Sequence, residues 1–393
     1  MKQRNPGILA INGGSSSIKF AVYENTAALP LRIYGEIVNI GQSGTHLSFN
    51  DDGSKPDRTL SLAETDYPAA ADFLFNWLAK QPEFADVKLV GQRVVHGMQR
   101  TEPAWVTASL LAELKGIISF APQHLPHEIG LMETLALRYP SLPQLACFDT
   151  AFHHDMPNVA KWLAIPRRYQ ALGVQRYGFQ GLSYSYLLNA LGQLGDPAAT
   201  QGRVILAHLG SSTSLAAVLN GHSIDTSMGF TPASGVMMST CSGDLDPGVM
   251  TYLAHSEKIS IAQFNQMINC ESGLLGVSEL SPDIRDLLAD QATDERAAEA
   301  VALYCYQVKK CIGGLAAALG GLDTLVFSGG IGTNEAQIRA GICQGLAFLG
   351  IELDYARNSR SAALLSAEQS RVRVRVIAAD PTLSIARAVR RCT

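Results

Sequence analysis

The sequence has no C-x-x-C pair, no apolar run of the roughly 18 residues that a membrane helix needs, and no strong excess of either charge. Its seven cysteines (Cys147, Cys241, Cys270, Cys305, Cys311, Cys343 and Cys392) are scattered and odd in number. A disulfide framework or a zinc site is therefore not expected, and reduced thiols in a cytoplasmic setting are. Charged residues are only 17% of the chain and the net charge is -4, so neither nucleic acid nor an anionic membrane is expected as a partner. Residues 1–6 run directly into a strand-like stretch without an apolar leader or a small-residue cleavage site, so a secretory signal is not expected. What the chain does have is length and apolar matter: 393 residues, 47% of them hydrophobic, which suits two domains with substantial cores.

Periodicity and turn residues divide the chain. Residues 7–12 and 18–23 read as two strands around a Gly-Gly-Ser-Ser-Ser bend, a hairpin with a small polar turn. Residues 68–80 read as a helix, with Pro68 in its first turn and Ala69, Phe73, Leu74 and Leu78 on its apolar face. A strand over 87–95 carries Arg93 near its end. Helices are expected over 110–120 and 128–139, and a short buried strand over 145–148 ends in Asp149. Residues 205–218 then repeat the strand, Gly/Ser bend and strand of residues 8–22. Either two domains share one design or two short hairpins happen to look alike. An Ala-rich helix over 292–320, a buried strand over 324–327 and a tight turn over 328–332 follow. A helix over 334–348, a strand over 372–378 and a short helix over 383–391 complete the reading. The expected division is one lobe of residues 1–149 plus about 381–393, and a second lobe of residues 150–380.

The chemistry-bearing candidates sit at the strand ends. In the first bend, small residues let backbone N–H groups approach an anion, Ser15 and Ser17 add hydroxyl donors, and Lys19 supplies a charge for phosphate. No G-x-x-x-x-G-K-[ST] loop is present, and a plain β-turn is the competing reading. A second bend at His208, Leu209, Gly210, Ser211 and Ser212 and a turn at Gly329, Gly330, Ile331 and Gly332 also follow apolar strands. Three such turns favour phosphate and nucleotide as ligands. The last of them is not G-x-G-x-x-G; it is either a strand-to-helix turn or a place where backbone packs on an adenosine. Arg93 is either paired with a carboxylate or poised for bidentate capture of a carboxylate or phosphate. Asp149 is either a turn residue or a metal-positioning one. Asp225, Asp244 and Asp246 read as turn formers, and His124, His127, His153 and His154 as structural rather than metal-bound.

The run Ile8-Leu9-Ala10-Ile11-Asn12-Gly13-Gly14-Ser15-Ser16-Ser17-Ile18-Lys19 resembles the N-terminal signature of the acetate and propionate kinase family. Blocks at 91–97, 148–153, 176–179, 225–232, 242–247, 276–278, 283–285 and 328–332 resemble further family blocks, in family order and over essentially the whole chain. The resemblance implies an α/β fold of two actin-like, ribonuclease-H-like lobes (the ASKHA superfamily) around a nucleotide cleft holding ATP and Mg2+, in a homodimer. It implies reversible transfer of the ATP γ-phosphoryl group to a short carboxylate, giving an acyl phosphate and ADP. Carried over by motif, Asn12 and Asp149 would hold the metal, and Arg93 the carboxylate or acyl phosphate. Lys19, Ser15, Ser17, His208, Leu209, Gly210, Ser211 and Ser212 would hold phosphates. Asp283, Ile284, Arg285, Gly329, Gly330, Ile331 and Gly332 would frame the adenosine. Val95, Phe179 and Pro232 would line the acyl pocket.

The departures from the family pattern gather at the transferring group. The family's phosphoryl-stabilising histidine reads Gln180, and its transition-state arginine reads Cys241. The C-terminal Thr-Asn-Glu-Glu reads Ala379-Asp380-Pro381-Thr382, so the metal-linked glutamate is absent, and Asp380 would substitute only with a shifted backbone. Near the acyl pocket, Leu-His-Asn reads Gln123-His124-Leu125, which favours a larger or more polar acid. Arg100 or Lys161 would have to compensate for the lost cations. The expectation is thus a carboxylate kinase of weak or altered activity, with a non-catalytic nucleotide-binding paralogue as the alternative.

Overall fold

The computed structural model describes residues 5–41, 43–50, 58–63 and 65–393; the start of the N-terminal run, residues 1–4, lies outside them. The chain divides into two units. The first is Met1–Phe152 with Gln180–Tyr186 and Asp380–Thr393; the second is His153–Phe179 with Leu187–Ala379. The expected lobes of 1–149 with about 381–393 and of 150–380 differ from this chiefly at Gln180–Tyr186. That segment goes with the first unit because Leu182 packs among Ile8, Ala10, Leu145 and Cys147.

The first unit is built on strands β1 (Gly7–Gly13), β2 (Ile18–Glu24), β3 (Leu31–Val38), β4 (His46–Asn50), β5 (Arg58–Ser61), β6 (Val87–Val94), β7 (Ala104–Trp105) and β8 (Gln144–Phe148). Their order in the sheet is β5-β4-β3-β2-β1-β6-β8-β7, with β1, β6 and β8 parallel. Strand β1 is apolar at successive positions because both its faces are covered. Leu9 and Ile11 pack with the helix Tyr67–Leu78 and with Leu131 and Leu135 of the helix Leu125–Arg138. Ile8 and Ala10 pack with Ile385, Ala386 and Val389 of the helix Pro381–Arg391. Gly91 of β6 is required for that second contact, since a Cβ there would lie 2.3 Å from the Ile385 side chain.

The helix expected over 68–80 begins one residue earlier, capped by Asp66, whose side chain accepts the Ala69 N–H. Its buried face is Tyr67, Ala70, Ala71, Leu74, Phe75 and Leu78, so the expected Ala69 is exposed and Phe73 only half-buried. The Tyr67 hydroxyl of this face lies 3.5 Å from the Ser17 carbonyl at the β1–β2 turn.

The second unit carries β9 (Arg203–His208), β10 (Ser214–Leu219), β11 (His222–Thr226), β12 (Thr324–Ser328) and β13 (Arg373–Val376), in the order β11-β10-β9-β12-β13. The order β3-β2-β1-β6-β8 in the first unit has the same pattern of antiparallel hairpin and parallel partners. The repeated hairpin in the sequence is therefore the visible part of a repeated topology. The core of this unit lies against the helix Glu295–Leu319, whose buried residues Ala297, Val301, Tyr304, Val308, Ile312, Leu315 and Leu319 recur every three or four positions. Asp294 caps its start and Gly320, at φ 68°, ends it. The single helix expected over 334–348 is instead Gly329–Asn334, Ala336–Cys343 and a short 3-10 turn, Ala347–Leu349. The chain breaks at Glu335, which leaves helical geometry, and at Gly345, which takes φ 82°. Among the described residues no helix is long and apolar enough to cross a membrane.

Candidate functional site

Strand β6 delivers Arg93 to the carboxyl end of the first sheet, next to the end of β8. Its Nε donates to Asp149 Oδ2 at 2.7 Å, and its Nη1 donates to the Gly13 carbonyl at 2.7 Å and faces Glu128 Oε1 at 3.4 Å. Among the described residues Nη2 has no partner. Burial alone would lower the pKa of this guanidinium, but Asp149 and Glu128 hold it above its ordinary value. Asp149 is buried, and its second oxygen accepts the Leu182 N–H at 3.2 Å. That bond fixes the first turn of the helix Gly181–Gln193. Gly181 is needed there, since a Cβ would lie 2.0 Å from the Asp149 carbonyl. Gln180 precedes it in a left-handed conformation, φ 59°, and its carbonyl accepts the Tyr184 N–H. The structure thus gathers Gly13, Arg93, Asp149 and the segment bearing Gln180 into one cluster.

Glu128 is a member that sequence reading missed. It is 1% exposed, and its Oε2 accepts the Val95 N–H at 2.9 Å. Burial pushes its carboxyl up to about 8, against the opposing pull of Arg93 and the Val95 amide. The available signal was its place one helical turn after His124, facing the sheet from a helix otherwise apolar on that side. His124 is driven down to about 3, by burial first and by the Arg93 and His127 charges second. Burial takes His96 down to about 4. His127 stacks on Tyr67 with ring centres 4.1 Å apart. His153 bridges Ser223 and the Phe179 carbonyl, and His154 pairs with Asp155.

Other expected residues are placed differently. Lys19 pairs with Glu36 on β3 at 3.3 Å, opposite it in register, rather than standing free over the turn. Ser15 is exposed at that turn, which the Gly14 N–H closes onto the Ser17 carbonyl. Asn12 is half-buried on β1, opposite Lys19. Val95 and Phe179 are buried, whereas Gln123 and Pro232 are half-buried. Asp244 accepts the Gly235 N–H and Asp246 caps the helix Pro247–Ser256, as turn formers do, whereas Asp225 lies within β11 and pairs with Arg176.

In the second unit the two Gly/Ser turns converge. The Leu209 N–H donates to the Ser328 carbonyl at 2.8 Å, and the Leu209 carbonyl accepts the N–H groups of Ile331 at 2.9 Å and Gly332 at 3.2 Å. Gly329 must be glycine: it takes φ 75°, and a Cβ would lie 2.3 Å from the Leu209 carbonyl. The amides of Ile331 and Gly332 are thus spent within the protein, and the side chains of Leu209, Ile331 and Ile284 belong to the core. At this junction Ser211, Ser212 and Gly330 are exposed and Gly210 is half-buried. Arg339, fully buried, holds the turn from behind through the carbonyls of Gly332 and Thr333 and through Asn358 and Ser361. Asp283 caps the helix Ile284–Asp290 and forks onto Arg285, so each is committed to the other.

The sequence profile of the Acetokinase family matches residues 7–387. The chain belongs to the acetokinase family. An acetate kinase of Rhodopseudomonas palustris is 43% identical over 388 residues, 97% of each chain. A propionate kinase of Citrobacter rodentium is 40% identical over 391 residues, 98% of this chain and 96% of its own. The crystal structure of a propionate kinase from Francisella tularensis superposes with a TM-score of 0.90 at 33% identity, covering 98% of this chain and 99% of that one. This acetokinase-family chain therefore has the actin-like ASKHA fold, and its family consists of phosphotransferases that act on a carboxyl group.

The acetokinase signature positions that differ here have definite surroundings. Cys241 is half-buried, its thiol 3.2 Å from the Asn269 carbonyl, and burial raises its pKa, so it is no activated thiolate. Asp380 is bound at both oxygens, by Thr382 Oγ1 at 2.6 Å and Leu383 N–H at 2.9 Å on one and by Tyr23 at 3.2 Å on the other. It caps the helix Pro381–Arg391. Arg100 is forked onto Glu113, and Lys161 donates to the His154 carbonyl. For Mg2+, no cluster of three ligating side chains exists among the described residues. Of the two expected Mg2+ ligands, Asp149 has its oxygens engaged by the Arg93 Nε and the Leu182 N–H, and Asn12 is half-buried near the end of β1.

Proposed function

We propose that this chain transfers the γ-phosphoryl group of ATP reversibly to a short carboxylate. A carboxylate oxygen attacks the γ-phosphorus, the bond from that phosphorus to the β–γ bridging oxygen breaks, and ADP leaves with the electron pair. The observation that carries the reading is Arg93, locked on two sides by Asp149 and Gly13 with Nη2 left over for a carboxylate or acyl phosphate. Val95, beside Arg93, lines the acyl pocket in this reading, together with Phe179, Pro232 and Gln123. The second unit handles the nucleotide: His208 to Ser212 receive phosphates, and Gly330 with Asp283 and Arg285 frames the adenosine. Asn12 and Asp149 would hold Mg2+, which supplies charge neutralisation on the phosphate oxygens.

Phosphoryl transfer depends on donors and cations around the equatorial oxygens, and losing an arginine clamp costs on the order of 10³ in rate. Gln180 still donates hydrogen bonds, whereas Cys241 offers no charge, so the proposed turnover is slow. A homodimer belongs to the same reading, and light scattering on the purified chain tests it. The decisive experiment is acyl phosphate formation from ATP, trapped as the hydroxamate, across a panel of short acids. No acid turned over above blank, with ATP binding intact by calorimetry, would leave a nucleotide-binding protein without kinase activity.

A further inference from the structure

We propose that Glu128 is the positioning residue of the carboxylate grip: its buried carboxyl ties the Arg93 guanidinium to the Val95 backbone and so fixes both the charged arm and the wall of the acyl pocket. The inference rests on the kinase reading for the identity of the ligand, but its geometry stands independently.

A guanidinium presents five N–H donors in one plane. Asp149 takes the Nε edge, and Gly13 and Glu128 take the Nη1 corner. With those three acceptors in place the plane cannot rotate, and only the Nη2 donors are presented outward. Glu128 contributes more than one contact. One oxygen faces Arg93, and the other accepts the Val95 N–H two residues further along the same chain segment. A single side chain from the helix Leu125–Arg138 therefore sets the spacing between the anion-binding arm and the buried Val95 side chain. Gly13 leaves room for this: a Cβ there would lie 2.7 Å from the Tyr67 hydroxyl and 3.8 Å from Glu128 Cγ. The charged and titratable groups around Glu128 are Arg93 on β6, Asp149 after β8, Tyr67 on the helix Tyr67–Leu78, and His124 and His127 on its own helix.

The test pairs steady-state kinetics with NMR saturation transfer from acetate and propionate, on the wild type, Arg93→Ala, Glu128→Ala, Glu128→Gln and Glu128→Asp. Losing one well-placed hydrogen-bond partner corresponds to about tenfold in affinity, so Glu128→Ala should raise the carboxylate KM by about tenfold while the ATP KM stays within about twofold. Glu128→Gln keeps an acceptor for the Val95 N–H and should restore most of the carboxylate affinity. Where Glu128→Ala fails to fold, Glu128→Asp reads the same effect, because its shorter arm cannot reach both partners. A folded Glu128→Ala or Glu128→Asp variant with wild-type carboxylate KM overturns the proposal and leaves the kinase reading standing. A wild type without turnover that still binds acetate, dependent on both Arg93 and Glu128, sinks the kinase reading and supports the proposal. No carboxylate binding by the wild type overturns both.

Discussion

Arg93 and Asp149 are joined through Nε and Oδ2 at 2.7 Å at the ends of two parallel strands, with the carboxylate almost wholly buried. Breaking this pair by Arg93→Ala leaves the buried Asp149 carboxylate without its cation and should cost about 3–5 kcal/mol of stability, read from urea unfolding. Arg93→Lys keeps the charge but cannot serve Asp149, Gly13 and a ligand at once. It should lose carboxylate affinity while keeping most of the stability. Equal losses in both variants would mean that the arginine is structural only.

The buried Glu128 carboxyl predicts a pH dependence of stability. Its folded pKa, pushed up to about 8, lies above the ordinary 4.5, so the folded state holds its proton more tightly than the unfolded one. That contribution is fully present below the ordinary value and is lost as pH rises through the folded value. Glu128→Gln mimics the protonated form and should shed this dependence. The difference in Tm between the two proteins should therefore shift in favour of the variant as the pH is raised from 5 to 9. Parallel Tm profiles would show that Glu128 is ionised throughout.

Gln180 and Cys241 stand where family histidine and arginine are expected. The double variant Gln180→His, Cys241→Arg should raise acyl phosphate formation by on the order of 10³, since an arginine clamp alone contributes that much to phosphoryl transfer. Histidine is among the residues that tolerate the left-handed backbone at this position, so the exchange adds little strain. Unchanged turnover in a folded double variant would move the limit to the C-terminal end, where Asp380 caps a helix.

The sequence showed the strands because the pattern that makes them is local. The β1–β2 hairpin is readable from a small polar bend between apolar runs, and Asp149 from its place after a short apolar strand. What stayed hidden depends on contacts distant along the chain. Glu128 lies 35 residues from Arg93, and its place on the apolar side of its helix does not reveal that partner. Arg339 reads as an ordinary helical arginine until Gly332, Thr333, Asn358 and Ser361 are seen to use its donors. Lys19 went the other way: its motif suggested a phosphate ligand, and cross-strand register pairs it with Glu36.

The junction at Leu209 and Gly329 offers a test confined to the second unit. A Cβ on residue 329 would meet the Leu209 carbonyl at 2.3 Å, and the φ of 75° is strained for any residue with a side chain. Gly329→Ala must push Leu209 away from the Ile331 and Gly332 amides that it now accepts. Left-handed strain alone costs about 1–3 kcal/mol, and the lost bonds add to it. The variant should therefore melt at lower temperature and bind ATP more weakly in calorimetry. Arg93 is held by Asp149, Gly13 and Glu128, all first-unit residues, so carboxylate binding should survive in the same sample. Loss of ATP affinity with acetate saturation transfer retained would separate the two grips. Loss of both would show that the turn supports the carboxylate grip as well.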